Sequence, residues 1–211
     1  MKSLAILTIV IGTLFPAYIV NEEVFFNFED QQINKMPSGW SSYITGEGKP
    51  CQWKIIEDNG NKVLAQVSSH TEEYHFNVIV NDSIECQDFE FSVKFKGVSG
   101  RVDRGGGLVW RYIDKNNYYV ARANPLEDNF RLYKVVNGNR IQLKSSHFTI
   151  ESNKWYNMKV EMHGNNIKCF FDGRLKLEAT ETTFEKPGKV GLWTKSDAVT
   201  SFDDFSIKCF D

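Results

Sequence analysis

The chain has 211 residues, 41% of them hydrophobic and 25% charged, so it is long enough to bury a core as one domain. Its net charge is −2 and its pI is near 6.1, so the chain lacks the excess of basic residues that is typical of nucleic-acid-binding proteins. The 14% of aromatic residues favours strands and also suits carbohydrate sites. The composition therefore predicts a folded, strand-rich protein with no nucleic-acid partner.

Residues 1–20 begin with a cationic residue, Lys2, and continue as an apolar run from Leu4 to Phe15. This order is typical of a secretory signal peptide, although no A-x-A cleavage pattern follows it. An uncleaved N-terminal membrane anchor is the alternative, but the run is marginal for spanning because about 20 apolar residues are needed. The sequence thus predicts export to the periplasm, cell envelope or extracellular space, with a single mature domain over residues 21–211.

From residue 24 onward nearly every segment has the length and alternation of a β-strand. Segment 88–98, DFEFSVKFKGV, is the clearest case, since its phenylalanines and Val93 alternate with polar residues. The predicted strands are 24–29, 52–56, 62–68, 75–80, 88–98, 107–111, 118–124, 129–135, 155–164, 165–171, 174–179, 189–196 and 202–209. Such a chain is most simply an all-β sandwich of two antiparallel sheets; a barrel or propeller is the alternative, but no repeat of about 40–50 residues is present.

Segment 101–140 carries an arginine at the same phase of three consecutive predicted strands. Side chains alternate between the two faces of a strand. One face would therefore hold Val109 and Arg111; Tyr118, Val120, Arg122 and Asn124; and Asn129, Arg131 and Tyr133. A row of guanidinium groups is costly inside a core, so this face is either a binding groove or an exposed polar surface with the arginine stems packed on the sheet.

Trp193 and Lys195 share one face of segment 189–196, opposite in phase to Leu192. A sugar-binding groove needs flat aromatic groups and planar hydrogen-bonding groups. Core packing of Trp193 is the alternative that the pattern leaves open. The candidate ligand-binding residues are Arg111, Tyr118, Arg122, Asn124, Arg131, Tyr133, Trp193 and Lys195.

The four cysteines are scattered and form no C-x-x-C pair, so a zinc site is not indicated. In an exported protein an even number of cysteines suggests disulfides, and three pairings exist. The apolar phase of both Cys169 and Cys209 favours Cys169–Cys209 together with Cys51–Cys86. Buried free thiols are the alternative.

No catalytic residue or cofactor is predicted. The four histidines His70, His75, His147 and His163 have no metal-ligand spacing. The glycines at 105–107 are not followed by the helix that a phosphate-binding loop needs. The adjacent Asp203 and Asp204 leave a structural calcium ion open as an alternative.

Several motifs, taken together, resemble one known family. They are SGW at 38–40, VSGRVDRGGGLVWRY at 98–112, NNYYVARANPLEDNFRLYKV at 116–135, FFDGRL at 170–175 and KPGKVGLWTKSDAVTSFDDF at 186–205. As a set they resemble the bacterial 3-keto-disaccharide hydrolase domain family over about residues 24–208. The resemblance implies a concanavalin A-like jelly roll, an exported carbohydrate-active protein and a ligand, a carbohydrate or keto-sugar, on the concave sheet.

The chain departs from the related family-16 glucanases, which carry an E-x-D-x-x-E pattern along one strand. Its nearest acidic residues, Glu85, Asp88 and Glu90, have a different spacing. Retaining hydrolysis requires two carboxylates about 5–5.5 Å apart. Two functions therefore stay open, hydrolysis or elimination of 3-keto-glycosides and non-catalytic glycan binding. If the arginines line a groove, replacing Arg111 and Arg122 by alanine should abolish glycan binding with little loss of stability.

Overall fold

The structure, a computed structural model, describes residues 23–210, so the predicted signal peptide or anchor at residues 1–20 lies outside the described residues. Within this range the regular structure is entirely β, and there is no helix that could cross a membrane. The fifteen strands are β1 (Glu23–Phe26), β2 (Trp40–Gly46), β3 (Trp53–Asp58), β4 (Asn61–Gln66), β5 (His75–Cys86), β6 (Asp88–Ser99), β7 (Gly106–Asp114), β8 (Asn117–Asn124), β9 (Asn129–Val136), β10 (Asn139–His147), β11 (Tyr156–His163), β12 (Asn166–Phe171), β13 (Arg174–Thr180), β14 (Gly188–Lys195) and β15 (Val199–Phe210).

The strands form two sheets, and within each sheet every pair of neighbouring strands is antiparallel. The eight-stranded sheet has the order β13-β12-β11-β6-β15-β4-β3, with β1 paired to the other half of β15. The seven-stranded sheet has the order β10-β9-β8-β7-β14-β5-β2. The all-β sandwich predicted from the alternation of apolar residues is therefore confirmed.

One hydrophobic core fills the space between the two sheets. The eight-stranded sheet contributes the predicted alternating residues of β6, and Phe91 packs 4.6 Å from the ring of Phe205 on β15. The seven-stranded sheet contributes Trp110, whose indole nitrogen donates to the sulfur of Met162 at 3.2 Å. Each fully buried large side chain stabilises the fold by about 2–3 kcal/mol, so this core holds the sheets face to face.

The sequence missed the two edge strands of the seven-stranded sheet, β2 and β10. Both lie at a border of the sheet and bury few of their side chains. An edge strand of this kind lacks the strict alternation that marks a strand with one buried face. The prediction was therefore most successful where a strand contributes to the core.

The outer face of the seven-stranded sheet is concave. Tyr74, which directly precedes β5, donates its hydroxyl to the carbonyl of Gly138 and accepts the backbone N–H of Arg140 at 3.2 Å. β5 lies next to one edge of the sheet, whereas β10 is the opposite edge, so this contact requires the sheet to curl over its outer face. Beneath it lies a second apolar cluster made of Phe76, Val78, Val80, Val109, Tyr112, Tyr118, Val120, Tyr133, Val135 and Trp193.

The disulfide joins Cys86 to Cys209 and so links β5 of one sheet to β15 of the other. The predicted pairs Cys169–Cys209 and Cys51–Cys86 are therefore wrong. Cys169 is fully buried on β12, and β11 and β6 separate β12 from β15, which puts these strands about 14 Å apart. A disulfide requires Cα atoms within about 7 Å. Phase along a strand gives the face of a cysteine but not the position of its strand in the sheet.

Candidate functional site

The concave face holds most of the residues that strand phase grouped together. Arg122 on β8 lies opposite Arg131 on β9, and Val120 lies opposite Tyr133. On β14, Trp193 has Gly107 of β7 as its partner, and Gly107 is also the partner of Arg122. Because a glycine lies between them, no side chain of β7 separates Arg122 from Trp193.

Arg122 is the centre of a buried ionic network. Its side chain is 1% exposed and donates to Asp103 at 3.0 Å, to Glu127 at 2.9 Å and to Asn129 at 3.1 Å. Burial by itself would lower the pKa of Arg122, but the charges of Asp103 and Glu127 raise it above the usual arginine range. The guanidinium therefore stays charged and is locked in one orientation.

Asp103 is the buried counter-ion of this network. Its side chain is 1% exposed and accepts from Arg122, from the backbone N–H of Gly105 at 2.7 Å and from the amide of Asn124 at 3.3 Å. The loop that carries it is fixed by Asp197, whose carboxylate accepts the backbone N–H groups of residues 101, 102 and 103. The carboxylate of Asp103 is thus fully hydrogen-bonded within the protein, and it is too buried to contact a ligand.

Glu127, in the turn between β8 and β9, is the exposed carboxylate of the site. Its side chain is 39% exposed, and its Oε2 accepts from Arg122 at 2.9 Å, from Asn129 at 2.8 Å and from Arg131 at 3.1 Å. Burial raises its pKa, but Arg122, Asn129, Arg131 and Lys195 together hold that pKa below its usual range. Its Oε1 receives no donor from the residues that the structure describes, so one oxygen of a firmly oriented carboxylate remains available.

Aromatic rings line the part of the concave face next to this network. Trp193 is fully buried, and its ring packs 5.3 Å from that of Phe76. Tyr118 is also fully buried, and its hydroxyl lies 2.8 Å from that of Thr45. Burial raises the pKa of Tyr118 well above its usual range, so this hydroxyl stays protonated. The predicted aromatic residues therefore form a rigid floor instead of an exposed platform.

Arg140 on β10, which the sequence analysis did not select, reaches over this floor. Its guanidinium carbon lies 4.6 Å from the ring centre of Tyr133, 4.8 Å from that of Phe76 and 5.6 Å from that of Trp193. Burial lowers the pKa of Arg140; the charge of Arg122 lowers it as well, while Tyr133 and Asp103 raise it. The signal was weak because β10 is an exposed edge strand, and only the curl of the sheet brings Arg140 above Trp193.

Arg111 does not belong to this face, so its prediction from strand phase needs correction. Its φ of 44° places it in the left-handed region at a bulge in β7, where the register with β8 shifts between Trp110 and Asp114. A bulge adds one residue to one strand and redirects the side chains that follow. The buried guanidinium of Arg111 donates instead to the carbonyls of Phe184, Gln87 and Gly164, at the end of the sandwich.

No metal site is evident between residues 23 and 210, where no group of three or more His, Cys, Asp or Glu side chains is arranged to hold an ion. Asp203 accepts from Asn61 at 2.8 Å, whereas Asp204 pairs with Lys94 at 2.6 Å. The two carboxylates that suggested calcium thus have separate protein partners.

The fold and this face define a class of protein. A protein of unknown function with a galectin-like fold from Bacillus subtilis superposes with a TM-score of 0.56 at 12% identity, over 80% of this chain and 88% of that one. The carbohydrate-binding module CBM66 from Bacillus subtilis superposes with a TM-score of 0.67 at 23% identity, over 81% of this chain and 95% of the module. The protein is therefore a jelly-roll sandwich of the lectin type, as predicted.

The family follows from the sequence. Residues 46–210 match the family described as the galactocerebrosidase C-terminal lectin domain, and the chain belongs to this family. It is also 30% identical over 105 residues to the levanase of Bacillus subtilis (strain 168). That match covers 49% of this chain and only 15% of the levanase, so the chain corresponds to a small part of that enzyme.

Proposed function

We propose that the protein is a non-catalytic glycan-binding module whose ligand sits at the polar end of the concave face, over Glu127, Arg131 and Lys195. The observation that carries this proposal is the carboxylate of Glu127, held through Oε2 by three donors while Oε1 is open. A fixed acceptor beside fixed donors suits the paired hydroxyl groups of a sugar ring.

The rigidity of the site also supports binding. Arg122 has no freedom to move because it is buried and bonded to two carboxylates and an amide. A preorganised site loses little conformational entropy when the ligand binds, and this matters for a sugar, whose hydroxyls must be stripped of water. The lectin family and the fold shared with a carbohydrate-binding module support the same reading.

The geometry favours binding over hydrolysis. Glycoside hydrolysis by the common mechanism uses two accessible carboxyl groups, one of which acts as an acid. Of the two carboxylates bound to Arg122, Asp103 is buried and saturated, and Glu127 has a lowered pKa that makes it a weak base and a poor proton donor at neutral pH. Action on 3-keto-glycosides stays a prediction from the sequence motifs; release of glucose from 3-keto-trehalose by the purified protein would establish it.

The disulfide is consistent with the predicted export. A bond between Cys86 and Cys209 needs an oxidising compartment to form and persist. We therefore place the module at the cell envelope or outside the cell, where polysaccharides are accessible.

The test is a binding measurement on an immobilised glycan panel that includes levan, galactose-terminated and mannose-terminated oligosaccharides. We expect the protein to bind at least one of them. Glu127→Gln should weaken that binding at least tenfold, because a neutral amide accepts more weakly than a carboxylate and replaces one of its two acceptor oxygens by an N–H donor. Glu178→Gln, at an exposed position of β13 in the other sheet, is the matched control and should bind normally. Equal binding by wild type and Glu127→Gln would show that the ligand site lies elsewhere.

A further inference from the structure

The concave face has an excess of hydrogen-bond donors. Two guanidinium nitrogens there are buried and have no hydrogen-bond partner among the described residues: Nε of Arg122 and Nη1 of Arg140. Both are donors and both belong to cationic side chains. The protein covers both atoms, so a ligand would reach Arg140 through Nε and Nη2, which remain accessible and form no hydrogen bond with the described residues.

The charges on the face are also unbalanced. Arg122 and Arg131 share the carboxylates of Asp103 and Glu127. Arg140 and Lys195 form no ion pair with any carboxylate in the part of the chain that the structure describes. The face therefore has four cations and two carboxylates, and the charge that is left uncompensated includes Arg140, directly above the aromatic floor.

The packing of Arg140 explains how this cation is kept in place. Three aromatic rings, those of Phe76, Tyr133 and Trp193, hold its guanidinium within 6 Å, and no side-chain hydrogen bond anchors it. Stacking fixes the plane of the guanidinium and leaves its N–H edge free. A planar N–H edge matches the two oxygens of a carboxylate.

We propose that this site recognises a sugar with an anionic substituent, and that Arg140 binds the anionic group while Glu127 accepts a hydroxyl of the same sugar. The proposal rests on the function proposed above and specifies its ligand class. A carboxylate of a uronic acid and a sulfate ester share the required chemistry, since both offer oxygens that accept from a guanidinium. A neutral sugar would leave the guanidinium charge of Arg140 without a counter-ion.

The experiment compares matched ligands by isothermal titration calorimetry with the whole protein. The pairs are cellobiouronic acid with cellobiose, digalacturonic acid with its dimethyl ester, and galactose 6-sulfate with galactose; the first two report on a carboxylate and the third on a sulfate. We expect the anionic member of at least one pair to bind at least tenfold more tightly. We also expect that advantage to shrink as the salt concentration is raised from 50 to 500 mM, because screening weakens the ion pair.

The variant that tests the assignment is Arg140→Met, which retains an apolar chain over the rings but removes the charge. We expect it to bring the affinity ratio of the pair close to one, while Arg140→Lys restores part of the preference. Arg174→Met, at an exposed position of β13, is the control and should leave the ratio unchanged. The thermal unfolding of each variant is measured so that a loss of folding is recognised.

Two results would overturn the proposal. If neutral sugars bind as tightly as their anionic partners, the anionic ligand class is refuted. If Glu127→Gln then loses the binding of those neutral sugars, the proposed glycan-binding function still holds. An anionic preference that persists in Arg140→Met would refute the role of Arg140. If no member of the three pairs and no glycan of the panel binds, both proposals fail together.

Discussion

Arg122 shows how a residue that is suited to a ligand groove becomes part of the framework of that groove. Strand phase placed it correctly on the outer face of β8. The structure buries it to 1% exposure and pairs it with Asp103, which is equally buried. Arg111 is also buried, at the end of the sandwich. The sequence alone predicts that the double variant Arg111→Ala/Arg122→Ala stays stable. Because both side chains are buried and bonded, we instead expect this variant to unfold.

Replacement of Arg122 by methionine tests this framework role. Loss of one member of a buried ion pair leaves the other charge uncompensated, so we expect Arg122→Met to lower the free energy of unfolding by about 3–5 kcal/mol. Arg131→Met is the control, because its pair with Glu127 is partly exposed and should contribute about 1 kcal/mol or less. Urea unfolding followed by tryptophan fluorescence measures both. Similar losses in the two variants would contradict the assignment of Arg122.

Glu127 should titrate below the usual range of a glutamic acid. Because its folded-state pKa is lowered, the stability it contributes is fully present above the unfolded value, near 4.5, and is lost as the pH falls through the lower folded value. Glycan binding that uses the ionised Oε1 should follow the same curve and persist at pH 4.5. Carbon-detected NMR of the side-chain carboxyl gives the midpoint directly. A midpoint at or above 4.5, the usual value of a glutamic acid, would contradict the network.

At the scale of elements, the bulge in β7 decides which arginines share a face. Up to Trp110 the strand keeps its register with β8, and Val109 belongs to the outer cluster as its phase predicts. At Arg111 the positive φ interrupts the alternation, and Tyr112 returns to the outer cluster. A Cβ on Gly188 would lie only 2.6 Å from the carbonyl carbon of Arg111, so this glycine allows β14 to approach the bulge closely.

The disulfide is a covalent cross-link between the two sheets, and its removal provides a test at this scale. Cys86 and Cys209 are separated by 123 residues, and a cross-link that closes a loop of this size stabilises the fold by about 4–5 kcal/mol in the chain-entropy description. We expect the double variant Cys86→Ser/Cys209→Ser to unfold at correspondingly lower urea concentration. Cys51→Ser, which changes a free thiol, should have a much smaller effect.

Thiol labelling gives an independent check of the pairing. Burial raises the pKa of the Cys169 thiol far above its usual range, so Cys169 should resist alkylation until the protein unfolds. The native protein should yield a peptide that contains Cys86 bonded to Cys209 after proteolysis without reduction. A bonded peptide with Cys169 and Cys209 would overturn the assignment.

At the scale of the whole molecule, one continuous core joins both sheets from edge to edge. A single core and a disulfide between the sheets should make unfolding cooperative. We expect differential scanning calorimetry of the oxidised protein to show one transition, with the calorimetric and van't Hoff enthalpies equal. A bound glycan should move that transition to higher temperature, since it binds only the folded state. Two resolved transitions would show that the sheets unfold separately.

The sequence by itself determined the all-β class, most strands of the core and the grouping of Arg122 with Arg131 and Tyr133. These properties depend on local alternation, and a strand with one buried face displays that alternation in its residues. The contact of the Glu127 carboxylate with Arg122 and Arg131 was not predictable in this way, because it depends on how the turn between β8 and β9 folds back.

Only the tertiary structure decided the partners of Cys86, the removal of Arg111 from the outer face and the position of Arg140 above Trp193. Each depends on an arrangement between strands that are distant in the chain: the order of strands in a sheet, a bulge that breaks the alternation, or the curl that brings opposite edges together. Side-chain periodicity repeats every two residues and contains no information on these distances, so the face of a residue could be predicted from the sequence but not its neighbours.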